Sequence, residues 1–270
     1  MFSDYAIFYR IGQEFWQGHY SALALYPLPM VMFFAVLAVF PPEVGLIALL
    51  VGSAVLLVIM FKRRALGWIW YVPILQTLAL GQIDIVLLAC WRMGTFWSLA
   101  LLSLKPQLFI LAIPQLLSDR TLLKKTAALV LLIYGVPTIV YPQWIGLWAR
   151  NVLADDRIIS ATNAVLTVAP VAVFGVVAAL TLTRRWHWVT AVTSFNPAIR
   201  SYDYTLLAGM TAWMIPVSWL AWLAEAWLGQ WWMMGMCGVV AGVKMTFTST
   251  RERHLTPGPS PTRRGERLHS

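Results

Sequence analysis

Long apolar runs, each closed by a short polar or basic cluster, set the rhythm of this chain. The segment 1–25 is mixed and aromatic, with Asp4, Tyr5, Tyr9, Arg10, Glu14, Trp16, His19 and Tyr20, and reads as an amphipathic or interfacial segment. Tyr26–Phe40 is apolar but short and ends at Pro41-Pro42, whereas Gly45–Phe61 is a fuller span closed by Lys62-Arg63-Arg64. A perpendicular crossing of a bilayer takes about 20 residues. Leu66–Leu80 stops at Gly81-Gln82, and Ile83–Cys90, Phe96–Leu104 and Leu108–Leu117 are separated by Arg92 and by Lys105-Pro106-Gln107. These pieces are too short for independent crossings. They read as broken or re-entrant helices, which are tolerated where irregular backbone lines a protein-enclosed cavity.

Ala127–Tyr141 reads as a span after Lys124-Lys125, and 142–160 as a polar loop. Ala161–Thr183 is the clearest helix and is closed by Arg184-Arg185; Trp186–Phe195, Thr205–Leu223 and Trp231–Thr246 follow. The pattern predicts an all-α, polytopic transmembrane helical bundle of eight to ten membrane-embedded segments over residues 1–249. The tail 250–270 is rich in Pro, Gly and charge, which predicts disorder. It resembles the translation of a short interspersed bacterial DNA repeat and is expected to be read-through with no function of its own.

Composition sharpens this picture. The 270 residues are 60% hydrophobic and 11% charged, against about 25% charged in soluble domains. Fifteen Trp suit a chain with many water–lipid boundaries, where indole rings settle. The net charge of +9 comes from 20 Lys and Arg, five of them after Thr250 and most others in clusters between apolar runs. That distribution follows the positive-inside rule rather than a nucleic-acid footprint, so no nucleic-acid partner is expected. Cys90 and Cys237 sit in apolar runs as buried free thiols. The four histidines are scattered, and no P-loop or GxGxxG occurs. No metal site and no cofactor are expected.

Candidate chemistry lies in the polar interruptions, because an ionisable group beside such apolar runs is expensive and persists mainly where it lines a cavity or reacts. Asp4 is either a general base at the bilayer surface or an ordinary aspartate near a chain end. Gln82 and Asp84 either bind sugar hydroxyls or start a helix, with Asp84 as its N-cap. Lys105, beside the Pro106 break, either neutralises a phosphate or snorkels at a boundary; Gln107 completes that motif. Arg200 with Tyr202 and Asp203 is either a phosphate clamp with an acidic partner or a local helix-capping ion pair. Arg92 is unusual in its apolar setting, or else marks a turn. The basic clusters all favour the cytoplasm, which places 1–25 inside if both runs before Lys62 cross, and outside if Tyr26–Phe40 only dips into the bilayer or if Lys62–Arg64 departs from the rule.

The order of these motifs carries a resemblance. Asp4-Tyr5, Gly18-His19-Tyr20, Tyr26-Pro27, Gly81-Gln82-Ile83-Asp84, Lys105-Pro106-Gln107 and Asn196-Pro197 with Tyr202-Asp203 resemble, over residues 1–245, the bacterial membrane glycosyltransferases of the GT-C superfamily. The series looks most like glycosyltransferase family 87, the polyprenyl-phosphate-mannose-dependent mannosyltransferases. The resemblance implies a multi-pass enzyme of the bacterial cytoplasmic membrane with an extracytoplasmic active site and a lipid-linked sugar donor. It also implies a glycolipid, glycan or protein hydroxyl as acceptor, with membrane lipids around the protein. It implies Asp4 as catalytic base of a single inverting displacement. Lys105 and Arg200 are then implied to stabilise the leaving phosphate, while Gln82, Asp84, Gln107, Tyr202 and Asp203 shape the substrate site. Family members begin with a transmembrane helix before the acidic loop, so the resemblance also implies either a misplaced start codon or a copy shortened at its N-terminus. A non-catalytic carrier of lipid-linked saccharides, or an inactive remnant, are the competing readings. A carrier predicts repeated broken helices in its two halves, and 81–117 has no later counterpart.

Overall fold

A computed structural model describes residues 3–109, 112–154, 205, 208 and 212–228. Among the described residues the chain is all-α, with no strand. Ala161–Thr183, the Asn196–Asp203 stretch and the tail 250–270 lie outside them.

Helix α1 (Ser3–Trp16) buries Tyr5, Phe8 and Ile11 and packs chiefly on α2 (Leu28–Leu37). Phe8 stacks on Phe34 at 4.2 Å between centroids and meets Tyr26 edge-on. Gly12 permits the close approach: a Cβ there would lie 2.5 Å from the Phe34 carbonyl oxygen. Trp16 Nε1 donates to the Ala35 carbonyl at 2.7 Å and the Tyr9 hydroxyl to that of Phe40 at 3.0 Å, satisfying acceptors that the end of a helix leaves over. Ten residues of α2 rise about 15 Å, half of a hydrocarbon core. Both of its flanks, Tyr26 and Phe40, stay beside α1.

Helix α3 (Pro42–Phe61) starts with Pro41 and Pro42, whose fixed φ suits a first turn. It passes through the 3₁₀ turn Lys62–Arg64 into α4 (Ala65–Trp68), and Pro42–Trp68 is long and apolar enough to cross a membrane. The expected run Leu66–Leu80 is not continuous. Pro73 has no N–H to offer the Ile69 carbonyl, and a new helix, α5 (Val72–Leu80), begins there. The buried amide of Val72 donates to Ser218 Oγ at 3.2 Å on α12 (Met214–Leu228), and Trp219 Nε1 donates to the Trp70 carbonyl at 2.9 Å.

The interrupted region is a succession of short helices: α6 (Asp84–Met93), α7 (Phe96–Leu101), α8 (Pro106–Phe109) and α9 (Ile113–Ser118). Helix α10 (Arg120–Val140) is the second one long and apolar enough to cross a membrane. It starts seven residues ahead of the expected Ala127, because the Asp119 carboxylate accepts from the amides of Thr121 and Leu122 at 2.8 and 3.1 Å and caps it. Lys124 and Lys125 then stand exposed in its second turn.

The expected loop 142–160 is, over its described part, largely helix α11 (Trp144–Leu153). Arg150 disguised an amphipathic period: Trp144, Trp148 and Asn151 recur at helical spacing. Trp148 Nε1 donates to the Leu25 carbonyl at 3.0 Å, and Asn151 Nδ2 to those of Ser21 and Ala24 at 2.9 and 3.2 Å. These bonds strap the α1–α2 connection to the far end of α10.

Candidate functional site

The Gly81 turn is where the distant motifs meet. Helix α5 ends in a left-handed glycine: Gly81 has φ 71°. The Gly81 amide donates to the Leu78 carbonyl at 3.3 Å and the Gln82 amide to that of Thr77 at 2.8 Å, the paired closure of a helix C-terminus that a glycine allows. The chain then turns directly into α6, with Ile83 at the N-cap and Asp84 as the first helical residue. Asp84 is therefore not the cap that the sequence alone left open.

Tyr5 fixes α1 against this turn. A Cβ on Gly81 would lie 2.6 Å from Tyr5 Cβ, and one on Gly45, in the first turn of α3, would lie 2.3 Å from the Tyr5 hydroxyl. Two glycines thus make the slot in which the ring lies. The hydroxyl is buried with no hydrogen-bond partner among the described residues. Burial, with Tyr9 and Glu43 nearby, pushes its pKa above the usual phenol value. This residue was not singled out from the sequence as part of the site; the visible signal was its place directly after Asp4.

With Tyr5 seated, its neighbour Asp4 reaches the turn. Gln82 Nε2 donates to Asp4 Oδ2 at 2.5 Å, across 78 positions of sequence. Asp4 is half-buried, whereas Gln82 is 2% exposed, and Gln82 Oε1 is a buried acceptor with no hydrogen-bond partner among the described residues.

Two residues further on, Asp84 is fully buried and its Oδ1 receives Lys105 Nζ at 2.8 Å. Lys105 is 1% exposed, so it does not snorkel. It occupies the residue between the 3₁₀ turn Leu102–Leu104 and α8, extended at φ −120° ahead of Pro106, the conformation a following proline favours. The Tyr134 hydroxyl of α10 donates to the Ser103 carbonyl and braces this break.

Removing two charges from water costs several kcal/mol per ion, and a buried pair often contributes nothing net to stability. The pair is therefore weak evidence of stabilisation.

Asp4 with Gln82, and Asp84 with Lys105, thus form two polar pairs, one joining α1 to the α5–α6 turn and the other joining α6 to the α7–α8 break, with Gln82 and Asp84 two residues apart in sequence. Gln107 is the second residue of α8. Arg200, Tyr202 and Asp203 lie outside the described residues. Arg92 ends α6 with Nη2 donating to the Ala208 carbonyl at 2.9 Å and its guanidinium 4.5 Å over the Phe61 ring, far along α6 from Asp84. Among the described residues no group of three or more His, Cys, Asp or Glu is placed to hold a metal. No protein-family model, curated protein or solved structure matches the chain. The likeness to the glycosyltransferases rests on the motif series.

Proposed function

We propose that this chain is a multi-pass glycosyltransferase of the bacterial cytoplasmic membrane. It transfers a hexose, mannose by the resemblance, from a polyprenyl-phosphate donor to a hydroxyl of a glycolipid or glycan on the extracytoplasmic side. The observation that carries the reading is the pairing of Asp4 with Gln82 and of Asp84 with Lys105 at the Gly81 turn, residues that the motif series had set apart for this chemistry.

In this reading the half-buried Asp4 takes the proton from the acceptor hydroxyl. The acceptor oxygen attacks the anomeric carbon, the bond from that carbon to the phosphate oxygen breaks, and polyprenyl phosphate leaves with the electron pair. Gln82 holds the Asp4 carboxylate through Nε2 and offers Oε1 to a sugar hydroxyl. Lys105 supplies positive charge for the leaving phosphate, which competes with Asp84 for the ammonium. Arg200, Tyr202, Asp203 and Gln107 complete the proposed substrate site.

The membrane part of the reading is supported by surface chemistry. The apolar side chains of α3 and α10 are largely exposed, among them Ile47, Val51 and Ile59 on α3 and Leu131 and Ile139 on α10. A soluble core helix would bury them. The arrangement of helix ends supports the orientation. Tyr5 lies on the first turn of α3, whereas Lys62–Arg64 follow its last, about 30 Å away at 1.5 Å per residue. Because α2 returns to α1 without crossing, one crossing separates Asp4 from this basic cluster. With the cluster cytoplasmic, Asp4 is outside.

The test is transfer from radiolabelled polyprenyl phosphate mannose in membranes containing the full chain, beside Asp4→Asn. The expected result is transfer by the wild type that falls by at least about 100-fold in the variant. Wild-type membranes that transfer nothing from mannose or glucose donors refute the function, and an active Asp4→Asn refutes the base.

A further inference from the structure

Two basic stretches separated by some sixty positions come to one end of the molecule. Arg92, in the last turn of α6, lies over Phe61, the last residue of α3. Gly94, just beyond α6, accepts from Gln115 Nε2 at 3.0 Å on α9, which leads into the capped start of α10. Lys125 Nζ is 5.9 Å from the Phe96 ring centroid, and Thr126 Oγ1 donates to the Phe96 carbonyl at 3.4 Å. Lys62, Arg63 and Arg64 therefore share this end with Arg120, Lys124 and Lys125. All six side chains are exposed, and none is in an ion pair among the described residues. Asp119 is the carboxylate beside them, and it is engaged by the amides of Thr121 and Leu122.

The backbone at Lys62 is a second observation. Its φ is 51° with ψ −128°, and it is the one non-glycine residue with positive φ among those described. That region strongly favours glycine, and strain kept by another residue points toward a function. The kink ends the long helix, buries Phe61 and turns three consecutive cations outward as a 3₁₀ turn.

We propose that this end is a docking surface for the headgroups of anionic phospholipids, with Lys62–Arg64 and Lys124-Lys125 as its two arms. The inference rests on the membrane reading above. An anionic membrane surface attracts clustered Lys and Arg with a strength equivalent to about fivefold in affinity per charge. The phosphodiester also accepts the parallel N–H donors of a guanidinium. The apolar faces of α3 and α10 adjoin the patch, so a lipid bound there lays its chains along them.

The experiment is thermal unfolding of the purified full chain in neutral detergent, titrated with phosphatidylglycerol, with phosphatidylcholine, or with inorganic phosphate. The expected result is that phosphatidylglycerol raises the melting temperature, that the other two do not, and that added salt weakens the effect. Replacing Arg63 and Arg64 together by Gln shifts the half-saturating phosphatidylglycerol upward by about 30-fold. Replacing Lys124 and Lys125 by Gln has a comparable effect in a helix that tolerates the change. Replacing Arg10 and Arg150 by Gln, at the other end, has none. Equal stabilisation by phosphatidylcholine or by inorganic phosphate, or an equal loss from Arg10 and Arg150, overturns the proposal. Recovery of the chain in the soluble fraction without detergent overturns the membrane reading itself, a separate outcome.

Discussion

Replacing one member of the Asp84–Lys105 pair separates stability from chemistry. At 2.8 Å and an effective dielectric constant of 20, the direct attraction is about 6 kcal/mol. Burial of both ions costs several kcal/mol each, so the intact pair is close to neutral for stability. A single replacement is different. Lys105→Met leaves a carboxylate in a site where Asp84 is 0% exposed, and Asp84→Asn leaves an ammonium that is as buried. Either single change costs about 3–5 kcal/mol, while the joint replacement Asp84→Leu with Lys105→Met restores most of the loss or exceeds the wild type.

The assay is unfolding by sodium dodecyl sulfate in mixed micelles, followed by tryptophan fluorescence, and completed as a double-mutant cycle. The coupling energy is expected above about 2 kcal/mol. Sugar transfer is expected to vanish in the joint variant even though its stability returns. A joint variant that is stable and fully active would show that the pair takes no part in chemistry. Single variants that lose under about 1 kcal/mol would show that the pair is not desolvated as the geometry requires.

Three further outcomes concern α1 and the turn it packs on. Gly81→Ala forces a side chain into φ 71° and into Tyr5 Cβ, so it destabilises by more than about 1 kcal/mol and lowers transfer with it, read by the same unfolding assay and by radiolabel. Tyr5→Phe removes a buried hydroxyl with no hydrogen-bond partner among the described residues and leaves stability unchanged or raises it by up to about 1 kcal/mol; a clear loss would mean the hydroxyl is satisfied. The Glu14 carboxyl is held below its usual range by a hydrogen bond from Ser21 and by Arg10. Its contribution is fully present above its unfolded value near 4.5 and is lost as the pH falls through the lower folded value. Wild type therefore loses more stability on acidification through that window than Glu14→Gln, as pH-dependent melting would show.

Much of the architecture was legible in the residues because apolar length and punctuation are local properties. Pro41-Pro42, Lys62-Arg63-Arg64 and Gly81 mark helix ends in the sequence and lie at helix ends in the structure. The readings that shifted did so where a side chain acts at a distance or in an unexpected period. Asp119 extended α10 upstream, Pro73 divided a run that composition alone joined, and the Trp144–Trp148–Asn151 stripe was masked by the polar residues around it.

The candidate site divides in the same way. Asp4, Gln82, Asp84 and Lys105 could be picked out by the sequence alone, because a charge or an amide among hydrocarbon residues is costly wherever the chain folds. Their partners could not. The bond from Gln82 to Asp4 depends on Tyr5 fitting between Gly45 and Gly81, three helices whose approach is set by the absence of two Cβ atoms. The pairing of Lys105 with Asp84 depends on the breaks at Gly81 and Pro106 facing each other. The side of α3 on which Asp4 lies was undecidable from hydropathy, since a ten-residue apolar helix can dip or cross with neighbours. The packing of α2 back onto α1 favours the dip and supports the proposed orientation. The sequence specified which groups are too expensive to bury alone; tertiary packing specified which of them are buried together.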